Sequence, residues 1–352
     1  MGRTVSLHRG SEAARRFGNG FYGALSLDSR RDRRYRAFLD SIDHAPVSLI
    51  QLVQLGSELM SASELHDHHF EFSPEPIWAT SRHLALHALR LPLSIKADRQ
   101  LSLPVSKTQA LRVFRLFEKR IVDRLPAAYI TGQARYLGNT FYVNRHVLVP
   151  RSAMTFRLRR YLASTIWRNR RVLDLCAGSG CIGISLALMN PRISVDLVDV
   201  SARALAVAEI NVQRFSLGRR IRCIRSDVFE AVNDRYDLIV TNPPYVSTPE
   251  YAALPREFMH EPKVALECGP DGLDVVHRIL ARAGRHLNPS GKLYAEVGAT
   301  AVEHIRAAYP HVRFRWQTYM RPDGTVSKGS GPRIFWLDRP TLRKLELRGS
   351  RR

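Results

Sequence analysis

Cysteine is scarce in this chain: four residues in 352, Cys176, Cys181, Cys223 and Cys268, with no paired CxxC spacing and no matching histidines. That excludes a disulfide framework and a zinc site, and it fits a reducing compartment. No run of about 18 apolar residues occurs, so neither a membrane span nor a membrane partner is read. The glycine-rich stretch lacks a lysine followed by Ser or Thr, which removes a P-loop for a nucleoside triphosphate. Acidic residues are also few, and 32 Asp and Glu against 54 Lys and Arg leave a formal net charge of +22. Such an excess favours a polyanion, because each cation near phosphate releases counterions. Contact with ribosomal RNA through a basic surface is one reading, and arginine spread over a solvated surface is the other.

What is present divides the chain. Residues 1–45 carry Arg15-Arg16, Arg30-Arg31 and Arg33-Arg34-Tyr35-Arg36 without a sustained apolar period, and read as a basic, disordered extension. A mitochondrial transit segment is the alternative, against which stand Glu12, Asp28, Asp32, Asp40 and Asp43. Over 46–125 apolar residues recur at helical intervals (Leu49, Val53, Leu59; Leu84, Leu86, Leu89, Leu91; Leu111, Val113, Leu116, Phe117, Ile121), which predicts a helical domain, assigned to substrate recognition. His66-Asp67-His68-His69 has nothing to fix its geometry and reads as a solvated helix end. His83 and His87 stand four apart without a third ligand, so no metal site is expected. Residues 126–150 change character: Tyr129-Ile130-Thr131-Gly132 and Tyr136–Val143 read as strands of a β-hairpin linking two domains. A second domain spans 151–338, and 339–352 reads as a solvated basic tail, while Gly324, Gly329 and Gly331 carry no assignment.

The second domain has an α/β pattern. Arg171-Val172-Leu173-Asp174-Leu175-Cys176-Ala177-Gly178-Ser179-Gly180 runs from a strand into a helix through small residues that allow close backbone approach to a ligand. The strand Ser194–Asp199 ends in an acid 25 residues after Asp174, suited to both hydroxyls of a ribose. Asp227 follows the next strand, at Arg222-Cys223-Ile224, and Tyr236–Thr241 ends at Asn242-Pro243-Pro244-Tyr245. Four strand ends thus gather at the carboxyl edge of one parallel sheet, where open α/β folds bind ligands. The acid heading the glycine loop suits a cationic ligand better than a pyrophosphate, and S-adenosylmethionine carries an ammonium and a sulfonium.

Two prolines remove two backbone donors and fix the loop. Asn242 offers a side-chain carbonyl, Pro243 a backbone carbonyl and Tyr245 a ring face, a grip for a planar group bearing NH2. The target is an amide or an exocyclic amine. No histidine or acid adjoins the loop in sequence as a base, so the loop suits positioning better than proton transfer.

Together these motifs resemble the class I S-adenosylmethionine-dependent methyltransferases (Rossmann-like, mostly parallel sheet), and specifically the glutamine N5 methyltransferases of release factors and ribosomal proteins. The resemblance runs from about 80 to 338 and includes Pro126–Gly132, Glu261–Leu266 and Gly269–Leu273. Pro150-Arg151-Ser152 and His260-Glu261-Pro262 resemble the branch acting on large-subunit ribosomal protein L three; Ala153–Arg157 departs from both branches. The resemblance implies that Asp174, Cys176, Gly178, Gly180, Asp199, Asp227 and Asn242 hold S-adenosylmethionine. Asp199 takes the ribose, Asp227 and its neighbours the adenine, and the 174–180 loop the methionine part. Asn242, Pro243, Pro244 and Tyr245 bind the glutamine, with Asn242, Pro243 and Tyr245 catalytic. Two alternatives stand: a release factor as substrate, or an amino methyltransferase acting on adenine in nucleic acid. Against the latter, Glu250, Glu257, Glu261 and Glu267 follow the loop and would repel phosphate. A fold retained for RNA binding without turnover is a third reading, opposed by the intact acids and Asn242.

Overall fold

The computed structural model describes residues 47–63, 65, 76–92, 101–152, 154, 171–317 and 333–349. The extension 1–45, the His66–His69 cluster, the departure at 153–157 apart from Met154, and Gly324, Gly329 and Gly331 lie outside the described residues. The chain divides into two units after Thr131.

The first unit holds β1 (Val47–Ser48), α1 (Leu49–Ser61), α2 (Pro76–Ala88), β2 (Pro104–Val105), α3 (Lys107–Ile121) and α4 (Ala127–Thr131). The helical period buries Leu49, Leu52, Val53, Leu84, Val113, Phe117 and Ile121 in one core. α3 starts on a reciprocal cap in which Gln109 N donates to Ser106 Oγ (3.3 Å) and Ser106 N donates to Gln109 Oε1 (2.9 Å). Gly56 allows the close approach of Phe117, whose ring would lie 2.4 Å from an added Cβ. β1 and β2 pair antiparallel, a short strand contact that the helical pattern did not show.

The segment read as a first hairpin strand at Tyr129–Gly132 is helical instead. The Pro126 carbonyl accepts from Tyr129 N and Ile130 N, opening α4. Ala127 and Ala128 are buried, and Thr131 Oγ1 donates to Ala127 O (2.9 Å) while lying 2.9 Å from His83 Nε2. Packing outweighs the strand preference of Tyr, Ile and Thr.

The second unit opens with the hairpin β3 (Gln133–Tyr136) and β4 (Asn139–Tyr142), joined at Leu137 and Gly138, both at positive φ (48° and 80°). Two consecutive positive φ values match the twist of a two-residue hairpin turn. The hairpin belongs to this unit rather than standing as a linker. There follow β5 (Arg171–Leu175), α5 (Cys181–Met189), β6 (Ser194–Asp199), α6 (Ala202–Arg214), β7 (Ile221–Arg225), β8 (Tyr236–Thr241), α7 (Thr248–Ala252), α8 (Asp274–Arg282), β9 (Leu287–Val297), α9 (Ala301–Ala308), β10 (Arg315–Gln317), β11 (Arg333–Asp338) and α10 (Arg339–Gly349). Tyr142 and Asn211 of α6 exchange two bonds, Tyr142 N to Oδ1 (2.7 Å) and Nδ2 to Tyr142 O (3.0 Å).

The sheet runs β10-β11-β9-β8-β5-β6-β7, with β5 to β9 parallel and β11 antiparallel to β9. Alternate residues feed two cores: Val172, Leu197, Leu238 and Val240 on one face, Leu173, Val198, Ile239 and Leu293 on the other. Both faces are covered, as parallel strands require. The order reverses between β5 and β8, which opens a crevice at their carboxyl ends. This is the open α/β sheet that the strand and helix pattern predicts, and the fold that the resemblance to class I S-adenosylmethionine methyltransferases implies.

Residues 339–349, read as a solvated basic tail, form α10. Leu342 is fully buried in the core and Glu346 is 7% exposed. The run of arginines hid a helix with one buried stripe.

Candidate active site at the carboxyl edge of the sheet

β5 ends in a loop whose backbone turns through positive φ at Cys176 (58°), Gly178 (54°) and Gly180 (76°) before α5 begins. Gly180 cannot be replaced without conflict, because an added Cβ would meet Leu197 Cδ1 at 2.9 Å. At Gly178 an added Cβ would meet nothing within 4 Å, so the loop faces open space there. The buried Asn211 donates from Nδ2 to Ser179 O (3.0 Å), tying the loop to α6.

Asp199, at the end of β6, accepts from Gly178 N on Oδ2 and from Ser201 N on Oδ1, both at 2.9 Å. One acceptor site on each oxygen is thereby used, leaving capacity for two hydroxyl donors. Burial pushes its carboxyl above the usual range, opposed by those backbone donors.

A cavity of about 320 Å³ occupies this edge. Among the expected ligand residues its walls include Cys176, Gly178, Asp199, Asp227, Asn242 and Pro244, while Asp174, Gly180, Pro243 and Tyr245 are not on them. Asp174 sits behind the loop, 1% exposed, with Oδ2 accepting from Gly183 N (2.7 Å) and Oδ1 without a hydrogen-bond partner. Burial above all, offset by the Gly183 donor, raises its pKa to about 7. Its direct role is to hold the helix start that follows the loop.

The loop Asn242–Tyr245 lies at the end of β8. Asn242 Oδ1 is buried and has no hydrogen-bond partner, an acceptor held ready at the cavity wall. Thr241 Oγ1 donates to Leu175 O (2.9 Å) and locks the strand end beside it. Downstream, Val246 N donates to Leu266 O and Cys268 N to Val246 O, so the segment after the loop is fixed by short backbone bonds. Two glycines fit around Tyr245. An added Cβ on Gly272 (φ 76°) would stand 2.4 Å from Tyr245 O, and one on Gly298 would stand 3.1 Å from Tyr245 Cδ2.

Several functional residues were missed from sequence. Arg278 of α8 lines the cavity and pairs with Asp227 Oδ2 at 2.8 Å. Glu261, read as one of four acids repelling phosphate, is buried: its carboxylate accepts from Arg151 Nη1 (2.8 and 2.9 Å) and from Val149 N (3.1 Å). Glu257 is buried as well, so only Glu250 and Glu267 leave acidity near that surface. Glu296, also buried, accepts from Ser152 Oγ (2.6 Å) and Met154 N (3.1 Å). Two buried carboxylates thus fasten the 149–154 segment, whose first four residues line the cavity. His146 also reaches the wall. Arg278, Glu261 and Glu296 carry no local pattern; each is matched by a residue about 50 to 145 positions away.

The parts fit S-adenosylmethionine: a ribose-competent acid, a glycine opening on space, and an orphaned acceptor, Asn242 Oδ1, on the same cavity wall. Among the described residues no group of histidines, cysteines and acids is placed to hold a metal.

The methyltransferase small domain family matches residues 157–270. Among solved structures, a Thermus thermophilus 16S rRNA N2 methyltransferase in complex with AdoMet and guanosine is 22% identical, covering 58% of this chain and 49% of that one with a TM-score of 0.39. The ribosomal protein uL3 glutamine methyltransferase of Neisseria gonorrhoeae is 42% identical over 247 residues, 69% of this chain and 82% of that protein. The Bordetella pertussis enzyme of that name is 42% identical over 243 residues, 68% and 81%. With such identity over four-fifths of those relatives, this chain belongs to the ribosomal protein uL3 glutamine methyltransferase family.

Proposed function

We propose that this chain methylates the side-chain amide nitrogen, N5, of a glutamine in ribosomal protein uL3. The observation that carries the reading is the buried, unpartnered Oδ1 of Asn242 on the cavity wall at the end of β8. S-adenosylmethionine is the methyl donor and supplies an electrophilic methyl group on a sulfonium.

An amide nitrogen is a poor nucleophile because its lone pair is delocalised into the carbonyl. Asn242 Oδ1 and the Pro243 carbonyl accept the two N–H bonds and orient the nitrogen, and Tyr245 packs against the amide plane. One well-placed polar group of this kind is worth about 2.7 to 4 kcal/mol. Asp199 takes the ribose hydroxyls, the Asp227–Arg278 pair borders the adenine end, and Asp174 holds the loop from behind. With S-adenosylmethionine bound, the N–CH3 bond would form as the S–CH3 bond breaks, leaving S-adenosylhomocysteine, and the amide proton would pass to water.

The reaction is placed in the cytoplasm, with the mitochondrial matrix as the second setting. No described helix is long and apolar enough to cross a membrane. Contact with ribosomal RNA through the basic surface belongs to the same proposal.

The test is transfer of labelled methyl from S-adenosylmethionine to unmodified uL3, release factor and unmethylated DNA or RNA, offered separately. Label on one uL3 glutamine is expected. Label on a release-factor glutamine would overturn the substrate, and label on nucleic acid alone would overturn the amide chemistry.

A further inference from the structure

A second cavity, of about 340 Å³, is lined by Arg235, Arg285, Arg339, Arg343, Glu346 and Leu347. Four guanidiniums stand against one carboxylate. Glu346, with its side chain 2% exposed, is the organiser: Oε2 accepts from Arg343 Nη1 (2.6 Å) and lies 3.5 Å from Arg285 Nε, while Oε1 accepts from Arg285 N (3.1 Å). Arg339 Nε donates to Gly284 O (3.3 Å). Arg235 is exposed and makes no ion pair or hydrogen bond among the described residues. The acids next to Arg235 and Arg339 in the chain are engaged elsewhere, Asp234 with Arg171 and Arg222, Asp338 with Thr341.

Each guanidinium has five N–H donors, and one carboxylate cannot occupy twenty of them. The surplus is a set of forked donors matched to phosphate oxygens, with Arg285, Arg339 and Arg343 held in place by Glu346 and the Gly284 carbonyl. No aromatic side chain lines the cavity, so no base has a surface to stack on. Arg235 precedes β8 and Arg285 precedes β9, two parallel strands, so the cavity lies at their amino ends. Asn242 follows the carboxyl end of β8, which at about 3.3 Å per residue puts the catalytic loop roughly 20 Å away.

The geometry points to this arginine-lined cavity as a binding site for backbone phosphates of RNA, independent of base sequence and separate from the methyl-transfer cavity. It rests on the reading that the basic surface meets RNA, and gives that contact a place. A free acidic peptide is the competing occupant.

The full-length protein is titrated with a fluorescent 20-nucleotide single-stranded RNA by anisotropy over a salt series. In Arg235→Gln/Arg339→Gln, two phosphate contacts are removed, and the slope of log K against log salt falls by about 1.4. That is roughly a 25-fold loss at 0.1 M salt relative to a 1 M reference. Arg235→Gln alone, at a residue without a described partner, lowers the slope by about 0.7 and serves if the double variant does not fold. Arg214→Gln/Arg219→Gln, two exposed residues elsewhere, removes the same charge and is expected to retain most of the affinity. Methyl transfer by the double variant to an isolated glutamine peptide stays at the wild-type rate. Equal losses in both double variants would overturn the site and leave only diffuse charge. Displacement of RNA by polyglutamate at equal concentration would overturn RNA as the ligand, and absence of RNA binding by the wild-type protein would remove the surface reading too.

Discussion

Replacing Asn242 by alanine tests a conflict between stability and function. In the ligand-free protein Asn242 Oδ1 is buried and accepts no hydrogen bond. A buried acceptor left unmade costs about 1 to 3 kcal/mol, and removing the group altogether removes that cost. Loss of a few van der Waals contacts offsets part of the gain, so a net stabilisation of about 1 kcal/mol is expected, which corresponds to roughly 2 to 4 °C in Tm for a domain of this size. In the proposed mechanism the same acceptor aligns the glutamine amide in the transition state, and its removal should lower kcat by about 100- to 1,000-fold. The assays are thermal melting without ligand, calorimetric binding of S-adenosylhomocysteine, and methyl transfer to uL3. The expected triple result is a Tm equal to or above wild type, unchanged cofactor affinity and lost turnover. A Tm lowered by several degrees would show that Asn242 is a framework residue with internal partners, and retained turnover would refute its role with the amide.

Asp174 gives a pH-dependent prediction. Its folded-state pKa is raised from 3.8 to about 7, chiefly by burial, so the folded chain binds the proton more tightly than the unfolded one. Stability is therefore fullest below about pH 4 on this account and falls as pH rises towards 7, by at most about 4 kcal/mol. Asp174→Asn keeps an acceptor for Gly183 N and should flatten the fall between about pH 4 and pH 7 in urea unfolding; parallel curves for the two proteins would contradict it. Asp199→Ala should weaken S-adenosylhomocysteine binding at least tenfold by calorimetry, since it removes both acceptors proposed for the ribose and the bond from Gly178 N; unchanged affinity would place the ribose elsewhere. Gly272→Ala combines positive φ with a Cβ 2.4 Å from Tyr245 O, strain of about 1 to 3 kcal/mol. It should reduce kcat while leaving cofactor affinity within twofold, and a normal kcat would mean that Tyr245 does not need this placement.

By itself the sequence determined the elements whose information is local. Strands with apolar runs, the small-residue turn at 176–180, acids at strand ends and the proline-stiffened Asn242–Tyr245 loop are all readable because a few adjacent residues dictate each backbone path. Their meeting at one edge follows from parallel strands. Tertiary structure decided what depends on distant partners. Tyr129–Thr131 became helix because Ala127 packs into the first core and Ala128 is buried beside it in the chain. Glu261 became a buried partner of Arg151, 110 residues away, rather than an exposed repellent. Asp174 lies behind its loop, where desolvation pushes its carboxyl up to about 7. The arginines near the C-terminus gained meaning only when Glu346 folded under them and drew Arg285 to the same cavity. Charge composition is legible in one dimension, whereas a charge's neighbours, and thus its chemistry, are settled by which strands and helices pack together.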